Sequence, residues 1–139
     1  MATDPARPPA SDATAAFMDL LVQTSFDVIA VVTRVGAEHD LSLTLVRMLG
    51  ILRDRTLTMA ELADYLGLKR STVSGLVDRA ERRELVARRT SSVDGRSVQL
   101  SLSPKGMALT NTASIALSAR LSPVVEKLPG NIRDACPSR

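Results

Sequence analysis

Within residues 73–102 the hydrophobic period changes from helical spacing to strict alternation, and this change constrains the fold more than any other feature. The helical part has apolar residues at i, i+3, i+4 and i+7, namely Val73, Leu76, Val77 and Ala80. Further along, Val98, Leu100 and Leu102 alternate with polar residues, which is typical of a half-buried strand. The sequence therefore predicts a mainly helical fold that carries a small β-element.

Two short helices are predicted before the alternating segment. Thr58-Met-Ala-Glu61 has the pattern of a capping box, in which the threonine hydroxyl accepts from an amide at the helix start and Glu61 reaches back. This helix must stop at Gly67, because glycine adopts a left-handed conformation without steric cost. The next helix covers residues 71–83. A hairpin follows, with strands around Val86 and Val98 and a polar tip over residues 91–96.

Helices are also predicted on both sides of this segment. Apolar spacing indicates a long helix over residues 14–38 and another after Asp40, whereas residues 1–13 have no apolar period and are expected to be a disordered arm. Ser103-Pro104 predicts a cap and first position of a helix that runs to about Leu121. Pro123 should interrupt that helix, and a short piece should end at Leu128.

Composition excludes several classes of protein. The chain has 139 residues, a usual length for one domain, and its 2% of aromatic residues suits a helical core of Leu, Val and Ala better than a sandwich. Cys136 and His39 are the only residues of their types, which excludes an internal disulfide and a protein-only zinc site. No catalytic motif is recognised, so we expect no enzyme activity and no cofactor.

The apolar stretch of residues 20–35 is interrupted by polar and charged side chains, so we interpret it as neither a signal peptide nor a membrane span. A cytoplasmic protein without a membrane partner is expected. The net charge is only +3, but residues 69–96 hold eight basic and four acidic residues. This basic segment is where a polyanion would dock.

The helix over residues 71–83 has the properties of a DNA reader. Because an α-helix fits the DNA major groove, burial of its apolar side turns its polar side toward the groove. The residues on that side include Ser71, Thr72, Ser74, Gly75, Arg79 and Arg82. Lys69 and Arg70 lie beside the helix start, where unpaired amides and a partial positive charge favour a phosphate.

Several motifs here are similar to those of the MarR family of transcriptional regulators. The stretch from Leu62 to Arg79, with Glu81-Arg-Arg and Leu85-Val, resembles that family's helix-turn-helix. Asp94-Gly-Arg96 and the pattern from Val98 to Gly106 resemble its wing. The resemblance implies a winged helix-turn-helix homodimer, whose first and last helices interdigitate and whose recognition helices enter successive major grooves.

The resemblance also implies roles for single residues. Arg96 would enter the flanking minor groove, Asp94 would shape the wing, and Arg88 belongs to the basic strand beside it. The full set assigned to DNA contact is Lys69, Arg70, Ser71, Thr72, Ser74, Gly75, Arg79, Arg82, Arg88, Asp94 and Arg96. Many relatives also bind a small aromatic or phenolic effector in a cleft between the dimer helices and the DNA-binding lobe. The residues that could line it are interpreted as core: Phe17, Phe26, His39, Met48 and Met107.

This sequence departs from the family pattern at four places. Gly75 replaces a long side chain, Glu84 replaces the glycine before the wing, Ala80 replaces a leucine, and the C-terminal helix is expected to be short. The predicted organisation is an arm over 1–13 and one domain over 14–139, in which 14–40 and 104–139 form dimerisation helices and 41–103 the DNA-binding lobe. The predicted function is a DNA-binding regulator, a repressor acting as a homodimer on a double-stranded, pseudo-palindromic operator. The alternative is a winged-helix module that docks protein.

Overall fold

The computed structural model describes residues 12–90, 97–127 and 130, and it confirms a mainly helical chain with a small antiparallel sheet. The elements are α1 (Asp12–Ala37), α2 (Leu43–Leu52), β1 (Leu57–Thr58), α3 (Met59–Leu66), α4 (Arg70–Arg82), β2 (Val86–Thr90), β3 (Val98–Leu102) and α5 (Pro104–Glu126). The order of helices and strands is that of a winged helix, with β2 and β3 as the wing strands. Residues 1–11 of the predicted arm lie outside the described residues, and α1 begins two residues before the predicted Thr14.

One core joins α2, α3, α4 and the sheet. The helical spacing in α4 is confirmed, because Val73, Leu76, Val77 and Ala80 are all buried. They pack with the fully buried Met48 of α2, Leu62 of α3 and Leu100 of β3. This core fixes the outer face of α4 relative to the wing, since close-packed side chains leave few alternative arrangements.

Local caps set the helix boundaries where the sequence indicates them. The capping box at α3 is present, and hydrogen bonds from the Thr58 amide and hydroxyl hold the pKa of Glu61 below its ordinary value of 4.5. Gly67 ends α3 in the left-handed conformation at φ 67°, as predicted. Ser103 caps α5, and its hydroxyl accepts from the Gly106 amide at 2.9 Å.

The sheet has three strands, whereas the sequence indicated only a hairpin. The strand order is β1-β3-β2, and Leu57 of β1 lies opposite Leu100 of β3. β1 is only two residues long, so no alternation could be read from it. It exists because the buried Leu57 brings the chain against β3 immediately before the capping box.

The prediction that Pro123 interrupts the last helix is wrong, because α5 is continuous from Pro104 to Glu126. Proline removes one amide, so the Ala119 carbonyl loses its partner within the helix. Both residues are exposed, so water can satisfy that carbonyl, and only one turn follows the proline. One lost bond near a helix end is tolerated more easily than one in the middle.

α1 and α5 pack along each other at one end of the lobe. Arg120 of α5 forms two hydrogen bonds with Glu38, at 2.6 and 3.0 Å, and Lys127 lies 3.6 Å from Asp27. The bond from Arg120 is the main cause that holds the pKa of Glu38 below 4.5. These polar contacts link the two helices in which the sequence predicts dimerisation.

Much of the apolar surface of α1 is uncovered in the single chain. Met48 is core as expected, but Phe17 and Phe26 are not, since 47% and 62% of their surface is exposed. Leu21 and Ile29 of the same helix are also exposed, at 51% and 47%. By length and composition, α1 would also be long enough to cross a membrane, and none of its most apolar window is buried.

Candidate nucleic-acid interface

The candidate interface is the outer face of α4, opposite its buried stripe. All predicted contact residues on this helix and beside its start are exposed, except Ser74, which is half-buried. They are Lys69, Arg70, Ser71, Thr72, Gly75, Arg79 and Arg82. The helix thus has small hydroxyl side chains near its start and two arginines toward its end.

The start of α4 has no side-chain cap. Lys69 occupies the N-cap position with an extended backbone, but its side chain forms no capping hydrogen bond. Its carbonyl accepts from the amides of Thr72 and Val73, at 2.9 and 3.1 Å. Amides of the first turn and the positive end of the helix dipole are therefore available to an anion. By contrast, Ser42, Thr58 and Ser103 cap α2, α3 and α5.

A three-residue connection orients α4 against α3. The Gly67 amide bonds to the Asp64 carbonyl at 3.2 Å, and the Leu68 amide bonds to the Ala63 carbonyl at 3.1 Å. These bonds satisfy the last carbonyls of α3, and Leu68 packs against the core. The exposed start of α4 is therefore held by a short, hydrogen-bonded turn rather than by a loose loop.

Arg88 of β2 contacts acidic side chains of α4 within the chain. Its guanidinium forms a short ion pair with Asp78 and a second one with Glu81 at 3.1 Å. The sequence did not reveal these pairs, because the partners lie on different elements and the packing of β2 against α4 decides which side chains meet. Arg88 therefore neutralises two carboxylates beside the candidate interface. This role is separate from the contact with DNA that the sequence predicts for Arg88.

Glu84, which stands where the family pattern has glycine, adopts the left-handed conformation itself. Its φ is 59°, and the following Leu85 amide bonds to the Ala80 carbonyl at 2.9 Å. The Ser103 hydroxyl donates to the Glu84 carbonyl, and Lys105 lies 3.0 Å from the Glu84 carboxylate. The helix stop before the wing is thus kept, with a side chain in a conformation that favours glycine.

Arg83 was not assigned a role from the sequence, yet it joins the end of α4 to the turn after α1. Its guanidinium donates to the carbonyls of His39 and Asp40, at 2.9 and 2.7 Å. Asp40 has a φ of 55°, also in the left-handed region. A guanidinium held by two carbonyls of one turn has a fixed direction, so Arg83 orients the lobe relative to α1.

The tip of the wing falls between the described segments. The wing strands pair from Val86 opposite Leu102 to Thr90 opposite Val98. Asp94 and Arg96, to which the resemblance gives roles in the wing, lie outside the described residues. Their assignments stay predictions.

The chain matches known proteins both in sequence and in fold. The sequence model of the MarR family matches residues 39–97, which span the segment from the turn after α1 to the start of β3. The comparison with curated proteins found no match.

Solved structures of MarR family regulators share this fold over most of the chain. AbsC, a MarR family transcriptional regulator from Streptomyces coelicolor, is 16% identical, with a TM-score of 0.73 over 89% of this chain and 86% of AbsC. NadR in complex with 4-hydroxyphenylacetate is 21% identical, with a TM-score of 0.73 over 94% and 90% of the two chains. A mutant of MepR from S. aureus, bound to an oligodeoxyribonucleotide, is 21% identical, with a TM-score of 0.66 over 85% and 88%. These likenesses show a common fold.

Proposed function

We propose that this chain is a sequence-specific transcriptional regulator of the MarR family that binds double-stranded DNA. The match of the family's sequence model to residues 39–97 and the shared fold support this proposal. The protein acts in the cytoplasm as a homodimer on a pseudo-palindromic operator. Its half-sites lie about one helical turn apart, roughly 10 base pairs. Repression by occlusion of a promoter is the proposed output.

The observation that carries this proposal is the outer face of α4. Arg70, Arg79 and Arg82 are exposed on one helix, around small hydroxyl side chains and an uncapped helix start. Arginines position a helix on phosphates, whereas Ser71 and Thr72 are short enough to reach base edges or phosphates. A MepR mutant of the same fold is bound to an oligodeoxyribonucleotide, which supports the same use of the fold here.

The exposed apolar side chains of α1 support the homodimer. Phe17, Leu21, Phe26 and Ile29 are each about half exposed or more, and their side chains would be covered by a second copy. A membrane would cover them too, but α1 contains four charged residues, and its Asp27 forms an ion pair with Lys127 at the end of α5. We therefore favour a water-soluble dimer, which should elute without detergent at twice the chain mass of 14.9 kDa.

A cleft between α2 and α5 is the proposed effector site. Its cavity volume is about 100 Å³, and it is lined in part by Leu49, Leu109 and Leu117. Arg53 adds a positive charge, and its guanidinium donates to the Ser114 hydroxyl at 3.2 Å. An apolar cleft with one cation suits a small aromatic acid or phenol, and NadR was solved with 4-hydroxyphenylacetate. Binding there would release the DNA.

The proposal is tested by fluorescence anisotropy with DNA that flanks the protein's own gene and with a scrambled duplex, at several salt concentrations. We expect preference for the flanking DNA, two chains per site and a steep loss of affinity with salt. Equal, weak binding to both duplexes would have two explanations: the operator lies elsewhere in the genome, or the winged helix docks protein instead of DNA. A genome-wide search for bound sites then decides, and an empty result would refute the regulator.

Variants separate positioning from base reading. Replacement of Ser71 or Ser74 by alanine should alter which sequences are preferred, because these side chains face the base edges in the proposed complex. Arg96→Ala should instead lower affinity for all sequences and make the salt slope shallower by about one phosphate-equivalent. Equal losses on all sequences for the serine variants would contradict base reading by α4.

A further inference from the structure

Two glycines lie at exposed positions inside helices, and no contact among the described residues requires glycine at either of them. Gly50 is in α2 and Gly75 is in α4. A Cβ atom added at either position would have no heavy atom within 4 Å. Neither glycine has a left-handed φ, since Gly67 is the glycine for which a positive value is found. Alanine would therefore fit both positions and would favour the helix more.

The two glycines differ in what surrounds them. Gly75 lies at the centre of the outer face of α4, with Ser71 and Thr72 one turn before it and both exposed. A helical Cβ tilts toward the helix start, so a side chain at position 75 would rise over those two residues. Without it, the first two turns of this face carry no side chain larger than threonine between Ser71 and Gly75.

The acidic residue one turn after Gly75 is held in an ion pair within the chain. Asp78 is paired with Arg88 of β2, and Glu81 is 3.1 Å from the same guanidinium. These pairs leave Arg79 as the residue of the next turn that is exposed beside Gly75. Ser71, Thr72 and Gly75 thus form a low region of the α4 surface, with Arg79 beside it. The carboxylates of Asp78 and Glu81 near this region are both paired with Arg88.

We propose that Gly75 determines specificity by the absence of a side chain: it is the point at which the α4 backbone approaches the base edges in the major groove. This inference rests on the proposed function. A helix with its side chains is about 10–12 Å wide, and the groove is about 12 Å wide, so one additional carbon atom at the contact matters. Glycine commonly serves where a backbone approaches a ligand closely.

The test compares Gly75→Ala with Gly50→Ala, which makes the same change in an equally open helix position away from this face. Because Gly50 lines the cleft between α2 and α5, affinity is measured without effector. Thermal unfolding is measured at equal chain concentration, and affinity for the operator and for a scrambled duplex is measured by anisotropy. Both variants should unfold at a temperature roughly 2–5 °C higher than the wild type, since alanine favours a helix. Gly75→Ala should also bind the operator at least tenfold more weakly, about 1.4 kcal/mol.

Gly50→Ala should bind the operator as the wild type does. A stabilised Gly75→Ala protein with unchanged affinity would overturn the inference, and so would an equal loss of affinity in both variants. A wild-type protein that binds no operator would refute the proposed function itself and this inference with it. A loss confined to the operator, with weak binding to the scrambled duplex retained, is the expected pattern for an effect at the base edges.

Discussion

Gly106 offers the sharpest test of how α5 meets the wing. A Cβ atom at this position would lie 1.9 Å from the Leu85 carbonyl oxygen, more than 1 Å closer than real contacts allow. The opposing atom is backbone, so it cannot rotate away, and the same carbonyl accepts from the Ser103 amide at 3.1 Å. Gly106→Ala must therefore push the start of α5 away from the start of β2.

The magnitude follows from these contacts. Forced overpacking costs typically 1–3 kcal/mol, and disturbance of the hydrogen bond from Ser103 costs about 1 kcal/mol more. The better helix propensity of alanine returns at most about 1 kcal/mol. We expect a net loss of about 2 kcal/mol in the free energy of unfolding, which lowers the urea midpoint by roughly 1 M.

Urea denaturation followed by circular dichroism, at fixed chain concentration, measures this loss. Gly50→Ala is the control, because the same substitution in open space should slightly raise the midpoint. A Gly106→Ala protein within about 1 kcal/mol of the wild type would refute the close packing of α5 on Leu85.

Three further predictions concern charged residues. Arg88→Ala should weaken operator binding several-fold by leaving Asp78 unpaired beside the DNA, and Asp78→Asn in that background should restore most of the affinity; no restoration would assign Arg88 a direct phosphate contact. Glu84→Gly should raise the free energy of unfolding by about 0.5 kcal/mol. The strain relieved at the left-handed φ is larger than the combined cost of losing the exposed ion pair with Lys105 and of adding glycine's flexibility to the unfolded chain. Glu84→Ala keeps the strain and should show no gain. Glu38 has a lowered pKa, so its contribution is present above pH 4.5 and is lost as the pH falls through the folded pKa; Glu38→Gln should flatten that acid loss in pH-dependent denaturation, and an unchanged profile would refute the pairing with Arg120.

The sequence predicted the features that are local. The apolar spacing in α4, the capping box at Thr58, the left-handed stop at Gly67 and the cap at Ser103 each depend on residues within one or two turns. Such features can be read without knowledge of the tertiary fold. They were sufficient to indicate a winged helix and to locate the outer face of α4.

The features that the sequence did not predict depend on contacts between distant segments. β1 forms only because Leu57 meets Leu100, and Arg88 meets Asp78 only because β2 lies against the end of α4. Phe17 and Phe26 were interpreted as core, yet the described residues of the single chain leave them exposed. An apolar sequence pattern predicts which residues are buried, but it does not show whether the same chain or a second chain buries them.

The most direct test of the central claim, that α4 binds DNA, is the salt dependence of operator affinity for the wild type and for an Arg70→Ala, Arg79→Ala double variant. Each phosphate contact contributes about 0.9 to the slope of log affinity against log salt, so loss of two contacts should make the slope shallower by nearly 2. Arg47→Ala, which removes an exposed charge from α2, should leave the slope unchanged. A double variant with the wild-type slope would contradict the claim that α4 docks on DNA.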